Sequence, residues 1–422
     1  MTCPYSEPKC DARVASDARR CRCGRVLKRC DACGENNRAF ANFCRACGRG
    51  LPSLPNWTGF RGDTRRLGFN PFGPGADHRT VPLPLELNLG SECRGLLAHD
   101  GHLVAVSHSG VVAIADALAP TSVCRVQAHG PVTAQPCIRN GILYLAGGGH
   151  LSAYSLGSVT NRQPRVHSLW TVPLEGTPIH ALTMVEDRLY VTVASLSWRE
   201  VQVLENVDRP SSPRRVHGAL RMSWVAADPH QGNAVFFSQN DGETMQLHVA
   251  GSRLTTHPVA LEQLSEHPIA VIGRTVFGIF GEARRLVRID ATTGAVEEPL
   301  AEDTQFFALS HAREEEWDRE SVVIDSSGIV FSSAGVRDSF GPLDRAVKGS
   351  PMIIHNSAVV VGMDDGRVRV YDIAHLPRHE VWVVGVTSSP ITALASFDEF
   401  IAAGNREGVV EVRALQAKGR AA

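Results

Sequence analysis

The cysteines of this sequence are concentrated at one end of the chain. Of the 11 cysteines among 422 residues, eight lie within the first 47 positions: Cys3, Cys10, Cys21, Cys23, Cys30, Cys33, Cys44 and Cys47. In a reducing compartment, clustered thiols bind metal more often than they form disulfides, and sets of four bind zinc tetrahedrally. The clustering therefore predicts two structural Zn²⁺ ions, one for each quartet.

The second quartet has the regular spacing Cys30-x2-Cys33-x10-Cys44-x2-Cys47. A CxxC turn directs two sulfurs at one ion, and two such turns complete a four-coordinate shell. Glycine follows each turn, at Gly34 and Gly48, where a positive φ is expected. Because four thiolates leave no coordination position for water, this site is predicted to be structural and not catalytic.

The first quartet, Cys3-x6-Cys10-x10-Cys21-x-Cys23, repeats the ten-residue gap but not the CxxC spacing. Its ligand pairing stays open: its cysteines either form their own site or interleave with Cys30 or Cys33. A head of this size buries too little apolar surface to fold alone. Metal binding worth roughly 10–16 kcal/mol per site would replace the missing core.

The stretch CDACGENNRAFANFCRACGRGLP, which begins at Cys30, closely resembles the tandem zinc-ribbon family known as double zinc ribbons. The resemblance implies a tandem zinc-ribbon domain over residues 1–50. The first quartet departs from the family pattern, with one widened and one tightened cysteine pair.

The head is basic. Residues 1–66 contain 14 Lys and Arg against six Asp and Glu, although a zinc ion held by four thiolates returns a charge of about −2. The cluster Arg19, Arg20, Arg22, Arg25, Lys28 and Arg29 permits contact with nucleic acid. Aromatic residues are sparse among these charges, which favours a head that binds protein or is purely structural.

Residues 51–79 are rich in glycine and proline, which interrupt every helix or strand, and are predicted to be a linker. Its aromatic residues either pack against the next domain or bind a partner: Trp57, Phe60, Phe69 and Phe72.

Residues 80–416 repeat a pattern of short apolar runs at intervals of about 40 residues, which is typical of propellers. Glycine-containing hairpin turns recur at 107–110, 240–242, 325–328, 364–366 and 405–408. The last repeat lacks a fourth strand, and the alternating leucines of 80–89 would supply it. The sequence thus predicts a mostly β protein: a β-propeller closed by strand 80–89, with a short tail at 417–422. It has eight blades, or seven if 302–345 is an insertion.

This region resembles the propellers of the pyrroloquinoline-quinone-like and WD-repeat families. The segment LVRIDATTGAVEE, 286–298, is similar to the strand-turn motif of the first family, with Glu298 where its docking tryptophan would lie. Trp170 and Trp382 occupy fourth-strand positions. The segment VYDI, 370–373, resembles the WD ending, although no Gly-His pair opens the repeats.

Quinone-dependent dehydrogenases share this architecture, so an enzyme must be considered. Their vicinal cysteine pair is absent, and Cys93, Cys124 and Cys137 are interpreted as buried core thiols. The sequence contains no serine elbow, phosphate loop or HExxH motif. The closely spaced His99, His102 and His108 surround one predicted hairpin, which favours a hairpin role over a metal site. We therefore expect a non-catalytic protein.

The composition, 43% hydrophobic and 21% charged, is that of a soluble globular protein. The first ten residues lack the apolar core of an export signal, and no run of 18 apolar residues predicts membrane insertion. We expect a cytoplasmic scaffold or adaptor that binds protein partners. Two alternatives are a nucleic-acid-associated protein that uses the basic zinc ribbons, and an enzyme with its active site in the propeller funnel.

Overall fold

The computed structural model describes two units, Met1–Asn56 and Trp57–Ala422. The described residues are 27–30, 32–38, 44, 46–47, 49, 69–70 and 78–417, the last range with gaps at 100–101, 117–122, 157–165, 209, 229–230, 262, 265–266, 298, 301, 305, 310–319, 326–327, 334–335, 341–346, 355–357, 373–378, 387 and 398–399. The predicted ligands Cys3, Cys10, Cys21 and Cys23 lie outside them. Within these residues, no helix has the length and apolar character needed to cross a membrane.

The described part of the small unit is a two-stranded antiparallel hairpin. It pairs β1 (Leu27–Arg29) with β2 (Asn36–Arg38) in the register Leu27 with Arg38. Cys30 and Cys33 lie in the turn that joins the two strands.

The large unit begins with two strands that join sheets formed much later in the chain, β3 (Phe69–Asn70) and β4 (His78–Asn88). Four sheets follow in chain order. Sheet 1 comprises β5 (Cys93–His99), β6 (His102–Ser107), β7 (Val111–Asp116) and β8 (Val123–Gln127); sheet 2 comprises β9 (Cys137–Arg139), β10 (Ile142–Gly147), β11 (His150–Ser155) and β12 (His167–Pro173); sheet 3 comprises β13 (Thr177–Val185), β14 (Arg188–Ala194), β15 (Arg199–Leu204) and β16 (Arg214–Ala219); sheet 4 comprises β17 (Arg221–Met222), β18 (Ala226–Asp228), β19 (Asn233–Gln239), β20 (Met245–Ala250) and β21 (Leu254–Val259).

Four further sheets complete the described strands. Sheet 5 comprises β22 (Ala270–Ile272), β23 (Thr275–Phe280) and β24 (Arg285–Asp290); sheet 6 comprises β25 (Phe306–Leu309), β26 (Glu320–Asp325), β27 (Gly328–Ser333) and β28 (Val336–Phe340); sheet 7 comprises β29 (Val347–Ile354), β30 (Ala358–Met363), β31 (Arg367–Asp372) and β32 (His379–Val383); sheet 8 comprises β33 (Ile391–Phe397), β34 (Phe400–Asn405) and β35 (Val409–Ala417).

Consecutive strands pair antiparallel within these sheets, except that β17 and β18 of sheet 4 both pair with β19. Tight turns join the two middle strands, as between β6 and β7, β19 and β20, β30 and β31, and β34 and β35. The glycines predicted for these turns have left-handed backbones in the described residues, with φ of 89° at Gly110, 72° at Gly242, 78° at Gly366 and 85° at Gly408. A side chain at Gly110 would also collide with the carbonyl oxygen of Gly130. The glycine is therefore required both for its backbone angle and for space.

Sheet 8 takes its fourth strand from the beginning of the large unit. Strand β4 pairs antiparallel with β35, from Asn88 opposite Val409 to His78 opposite Ala417. Its leucines alternate as the sequence predicts: Leu85, Leu87 and Leu89 are buried. Strand β3, inside the predicted linker, pairs in parallel with β29 through Phe69 opposite Ile353.

Burial differs between the middle and the outer strands, and this explains the sequence pattern. The middle strands β30 and β34 are buried at every position, and their sequences AVVVGM and FIAAGN are almost entirely apolar or small. The outer strands β8 and β12 are largely exposed or half-buried. Apolar clusters fill the space between neighbouring sheets, as between sheets 1 and 2 and between sheets 4 and 5. Cys93 and Cys137 are buried as predicted, but Cys124 is only half-buried because it lies on outer strand β8.

Seven pairs of neighbouring sheets contact each other through strands at or near the start of each sheet: β5 with β9, β9 with β13, β13 with β18, β18 with β22, β25 with β29, β29 with β33 and β33 with β5. The last of these contacts joins sheet 8 to sheet 1. There the Thr392 hydroxyl donates to the Cys93 carbonyl at 2.7 Å, and the sulfur of Cys93 lies against Gly404, where no Cβ would fit.

Candidate metal centre

The first pair of candidate ligands lies in the β1–β2 hairpin. Cys30 follows β1 directly, and its N–H donates to the Glu35 carbonyl at 2.9 Å. The Gly34 N–H donates to the Cys30 carbonyl at 2.8 Å, and Gly34 has a φ of 73°. The predicted positive φ at Gly34 is confirmed. This tight turn brings the sulfurs of Cys30 and Cys33 to one side of the hairpin end.

The second pair of cysteines lies in a turn with the same hydrogen bond. The Cys44 N–H donates to the Arg49 carbonyl at 2.8 Å, five residues ahead, as the Cys30 N–H does to Glu35. Burial repeats as well, since Cys30 and Cys44 are buried while Cys33 and Cys47 are exposed. The two CxxC turns are thus equivalent halves of one site.

The four sulfurs are close enough to share one ion. The ligand atoms of Cys30, Cys33, Cys44 and Cys47 all lie within 4.8 Å of one another, with 3.6 Å between Cys30 and Cys47 and 3.5 Å between Cys33 and Cys44. All four are free thiols. A tetrahedral zinc site with Zn–S bonds of about 2.3 Å has sulfurs about 3.8 Å apart. The cluster therefore fits one zinc ion, and in the part of the chain that the structure describes it is the one group of three or more metal-binding side chains placed in this way.

Hydrogen bonds act unequally on Cys33 and Cys44, whose sulfurs lie 3.5 Å apart. Burial disfavours the Cys44 thiolate, but N–H groups of Cys47 and Ala46 and the Asn37 amide outweigh it and lower the pKa of Cys44 to about 6. At Cys33 the Glu35 N–H favours the thiolate, yet burial and the neighbouring sulfurs of Cys44, Cys47 and Cys30 raise its pKa to about 12. A divalent cation would favour ionisation of all four sulfurs, because it compensates their mutual repulsion.

Asn37 contacts the candidate site, which the cysteine spacing does not indicate. It lies on β2, and its side chain is 1% exposed. Its amide nitrogen donates to the Glu35 carbonyl at 2.9 Å and to the Cys44 sulfur at 3.5 Å. The sequence between the two CxxC turns does not predict this contact, because the contact depends on how the β1–β2 hairpin folds.

A pair of histidines lies inside the large unit, between sheets 3 and 4. The rings of His217 and His248 are 4.1 Å apart. The Ser238 hydroxyl lies 2.7 Å from Nε2 of His248 and 3.2 Å from Nε2 of His217, and Thr256 Oγ1 lies 3.1 Å from Nδ1 of His248. Burial, and then the charge of His217, lowers the pKa of His248 to about 3, which keeps this ring neutral at physiological pH.

The three histidines that are closely spaced in the sequence, His99, His102 and His108, contribute to local structure. His99 and His102 lie opposite each other where β5 meets β6. The His108 ring contacts the Val132 carbonyl at 3.1 Å and so joins a hairpin of sheet 1 to the segment that connects sheets 1 and 2. These positions agree with the predicted hairpin role.

A polar cleft of about 340 Å³ lies between the hairpins of sheets 4 and 5. Arg221, Asp241 and Glu282 line it together with four polar or glycine residues. Small-molecule sites are lined mainly by apolar and aromatic groups, so this cleft differs from a typical substrate pocket.

Solved structures with this architecture are similar to the chain at low sequence identity. BamB from Moraxella catarrhalis is 17% identical, with a TM-score of 0.55 over 80% of this chain and 100% of that chain. The quinohemoprotein alcohol dehydrogenase ADHIIG from Pseudomonas putida HK5 is 10% identical, with a TM-score of 0.60 over 87% and 81%. The quinohemoprotein alcohol dehydrogenase from Comamonas testosteroni is 10% identical, with a TM-score of 0.59 over 91% and 82%. The chain has a β-propeller fold.

The predicted mostly β propeller is therefore confirmed. No protein-family model matches the sequence, and no curated protein is significantly similar to it. At identities of 10–17%, the likeness extends to the fold and not to the activities named for those structures.

Proposed function

We propose that this protein is a non-catalytic scaffold whose propeller and zinc-stabilised head each bind other proteins. The observation that carries the proposal is an apolar hairpin end on sheet 3, formed by Leu196, Trp198 and Leu220 and called the Leu196 tip. Leu196 is fully exposed, and Leu220 is 37% exposed. The register of β15 and β16 pairs Arg199 with Ala219, so Trp198 and Leu220 are the next residues beyond this pair, at the same end of the two strands.

The Leu196 tip lies at a position where the other hairpins have polar residues and glycine. The corresponding turns of sheets 1, 4, 7 and 8 contain SHSG, NDG, DDG and NREG, whereas that of sheet 3 reads SLSW. Leucine at a turn tip gains no burial within the fold, and single exposed apolar residues are common. Grouped exposed apolar residues mark interaction sites more than single ones do, and tryptophan is enriched among the residues that dominate the binding energy of protein interfaces.

Trp198 is held rigidly, which suits a binding residue. Its indole N–H donates to Glu200 at 2.9 Å, and the Arg215 guanidinium lies 5.0 Å from its ring centre. A Cβ at Gly218 would lie 2.7 Å from the ring, so the indole packs directly on the strand. Since little side-chain freedom remains to be lost on association, the entropic cost of binding through Trp198 is reduced.

The zinc proposal extends the described site to the whole head. One zinc ion on Cys30, Cys33, Cys44 and Cys47 is supported by the sulfur separations. We propose a second ion on Cys3, Cys10, Cys21 and Cys23, because the quartets share their ten-residue inner gap. Both would be structural, since four sulfurs fill the coordination shell and leave no position for a substrate.

The propeller is proposed to have eight blades. The eight sheets in the described part of the large unit, and the contacts between seven of their neighbouring pairs, support this number. Strands β25, β26, β27 and β28, the described part of 306–340, form a four-stranded sheet, which supports eight blades over the alternative that 302–345 is an insertion into a seven-bladed ring. We further propose that the protein acts in the cytoplasm, where its thiols would stay reduced.

Site-specific photocrosslinking tests the scaffold proposal. A benzoylphenylalanine residue is introduced in place of Leu196 in the full chain and irradiated in the native cell. Val386, which is equally exposed but lies after sheet 7, provides the matched control position. The proposal predicts a protein adduct at 196 that is at least several-fold stronger than at 386 and is lost in the variant Trp198→Ala.

Two outcomes would contradict the scaffold proposal. Equal labelling at 196 and 386 would show that the Leu196 tip selects no partner. Adducts that contain only nucleic acid, together with binding that weakens steeply with salt, would favour the nucleic-acid alternative.

A further inference from the structure

The Asn37 side chain connects the two halves of the candidate zinc site. One acceptor, the Glu35 carbonyl, belongs to the first CxxC turn and also receives the Cys30 N–H. The other acceptor is the sulfur of Cys44, in the second turn. A single buried amide group therefore contacts both turns.

Two donors are directed at the sulfur of Cys44. The Ala46 N–H approaches its sulfur at 3.4 Å and the Asn37 amide at 3.5 Å. Hydrogen bonds to a charged acceptor are stronger than those to a neutral one. A donor directed at a zinc-bound thiolate would delocalise its charge and hold the sulfur in position.

We propose that Asn37 is a positioning residue of the zinc centre, which aligns the Cys44 turn with the Cys30 turn and donates a hydrogen bond to the Cys44 thiolate. The inference rests on the proposed zinc site. It goes beyond the four ligands, because it assigns part of the metal affinity to a residue that does not touch the ion. Residues that orient metal ligands typically change affinity by about 10–100-fold when they are replaced.

The variant Asn37→Leu tests this role, because leucine has a similar volume and no donor. We expect the full-length variant to bind zinc about 10–100-fold more weakly in competition with a chromophoric chelator. Asn37→Asp should weaken binding at least as much, since a carboxylate would face a thiolate. Asn37→Gln keeps the donor and should recover part of the affinity. The same change at the neighbouring asparagine, Asn36→Leu, is the matched control and should remain within about twofold of wild type.

Cobalt provides a readout that a general loss of packing would not reproduce. Removing a hydrogen bond raises the energy of the sulfur lone pairs, so the sulfur-to-cobalt charge-transfer band of Asn37→Leu should move to longer wavelength. Difference spectra between wild type and variant cancel any metal bound elsewhere in the head.

If Asn37→Leu has wild-type zinc affinity and an unchanged sulfur-to-cobalt band, this inference is overturned, but the proposed zinc site is not. A wild-type protein without a thiolate–cobalt band would overturn the zinc site and this inference with it. If Asn37→Leu binds no metal at all, Asn37→Gln decides: recovery supports the role, and equal loss overturns it.

Discussion

The neutral ring of His248 is the clearest case in which surroundings determine the charge of a residue. The side chain is 1% exposed, stacks on Phe236 with ring centres 4.9 Å apart, and lies between two hydroxyl groups. Protonation would add a cation beside His217, whose own pKa is lowered by burial and by Arg215. The folded protein therefore resists a proton that the unfolded chain accepts.

This arrangement predicts acid sensitivity between sheets 3 and 4. The pKa of His248 is 6.5 in the unfolded chain and about 3 in the folded protein. Between these values the unfolded state binds more protons, so the free energy of unfolding falls as the pH drops through 6.5. From pH 7 to pH 5 we expect His248 to account for a loss of about 2 kcal/mol. Urea unfolding at both pH values measures it.

Two variants separate His248 from the other titrating groups. His248→Phe keeps an aromatic ring but cannot titrate, and should lose about 2 kcal/mol of the pH dependence. His150→Phe, at an exposed position, should keep the wild-type difference between pH 7 and pH 5. The same pH dependence in His248→Phe as in the wild type would show that this ring is not the sensitive group.

At the residue scale, spacing predicts ligands but not the groups that orient them. Cys30, Cys33, Cys44 and Cys47 were identifiable because CxxC turns have a fixed geometry, and the structure brings their sulfurs together. The role of Asn37 is not predictable in this way, because the neighbouring sequence does not distinguish a buried asparagine from an exposed one. The Leu196 tip was missed for a related reason: exposure follows from the register of neighbouring strands.

At the scale of elements, strand β4 shows how a local pattern determines a distant pairing. Every second residue from Leu83 to Leu89 is leucine, which predicts a strand with one buried face. In the structure this face packs into the apolar cluster between sheets 7, 8 and 1. Burial of this face thus fixes the pairing of β4 with β35, a strand that lies more than 300 residues later in the chain.

The pairing of β4 with β35 predicts that substitutions at two adjacent positions change the free energy of unfolding by very different amounts. Leu87→Ala removes a side chain that is 1% exposed and should lower the free energy of unfolding by about 2–5 kcal/mol. Glu86→Ala changes the exposed face, opposite Glu411, and should stay within about 0.5 kcal/mol of wild type. Urea unfolding of the two variants measures the difference. Equal effects would contradict the assignment of β4 to a buried edge of sheet 8.

Strand β3 is an element that the sequence pattern does not predict. Phe69 follows Gly68 and Pro71 follows Asn70, and glycine and proline interrupt every run of the segment, so the sequence indicates a linker and no strand. The pairing with β29 is parallel and two residues long. Such a short parallel contact depends on where a strand edge is left open in the finished sheet, which periodicity does not encode.

At the scale of the molecule, the two units are stabilised by different interactions. The large unit buries continuous apolar strands between neighbouring sheets and links its last sheet to its first through β33 and β5. The described part of the small unit has a two-stranded hairpin and two buried cysteines in place of such a core. In our account, zinc supplies the stability that apolar burial supplies in the propeller.

The zinc content of the full-length protein, purified under reducing conditions without added chelator, tests this claim most directly. Elemental mass spectrometry should find two zinc ions per chain, and the double variant Cys30→Ser, Cys44→Ser should retain one. The variant's propeller should unfold as in the wild type, while its head becomes sensitive to protease. A wild-type protein with no bound zinc, or a double variant with an unchanged zinc content and an intact head, would contradict the account.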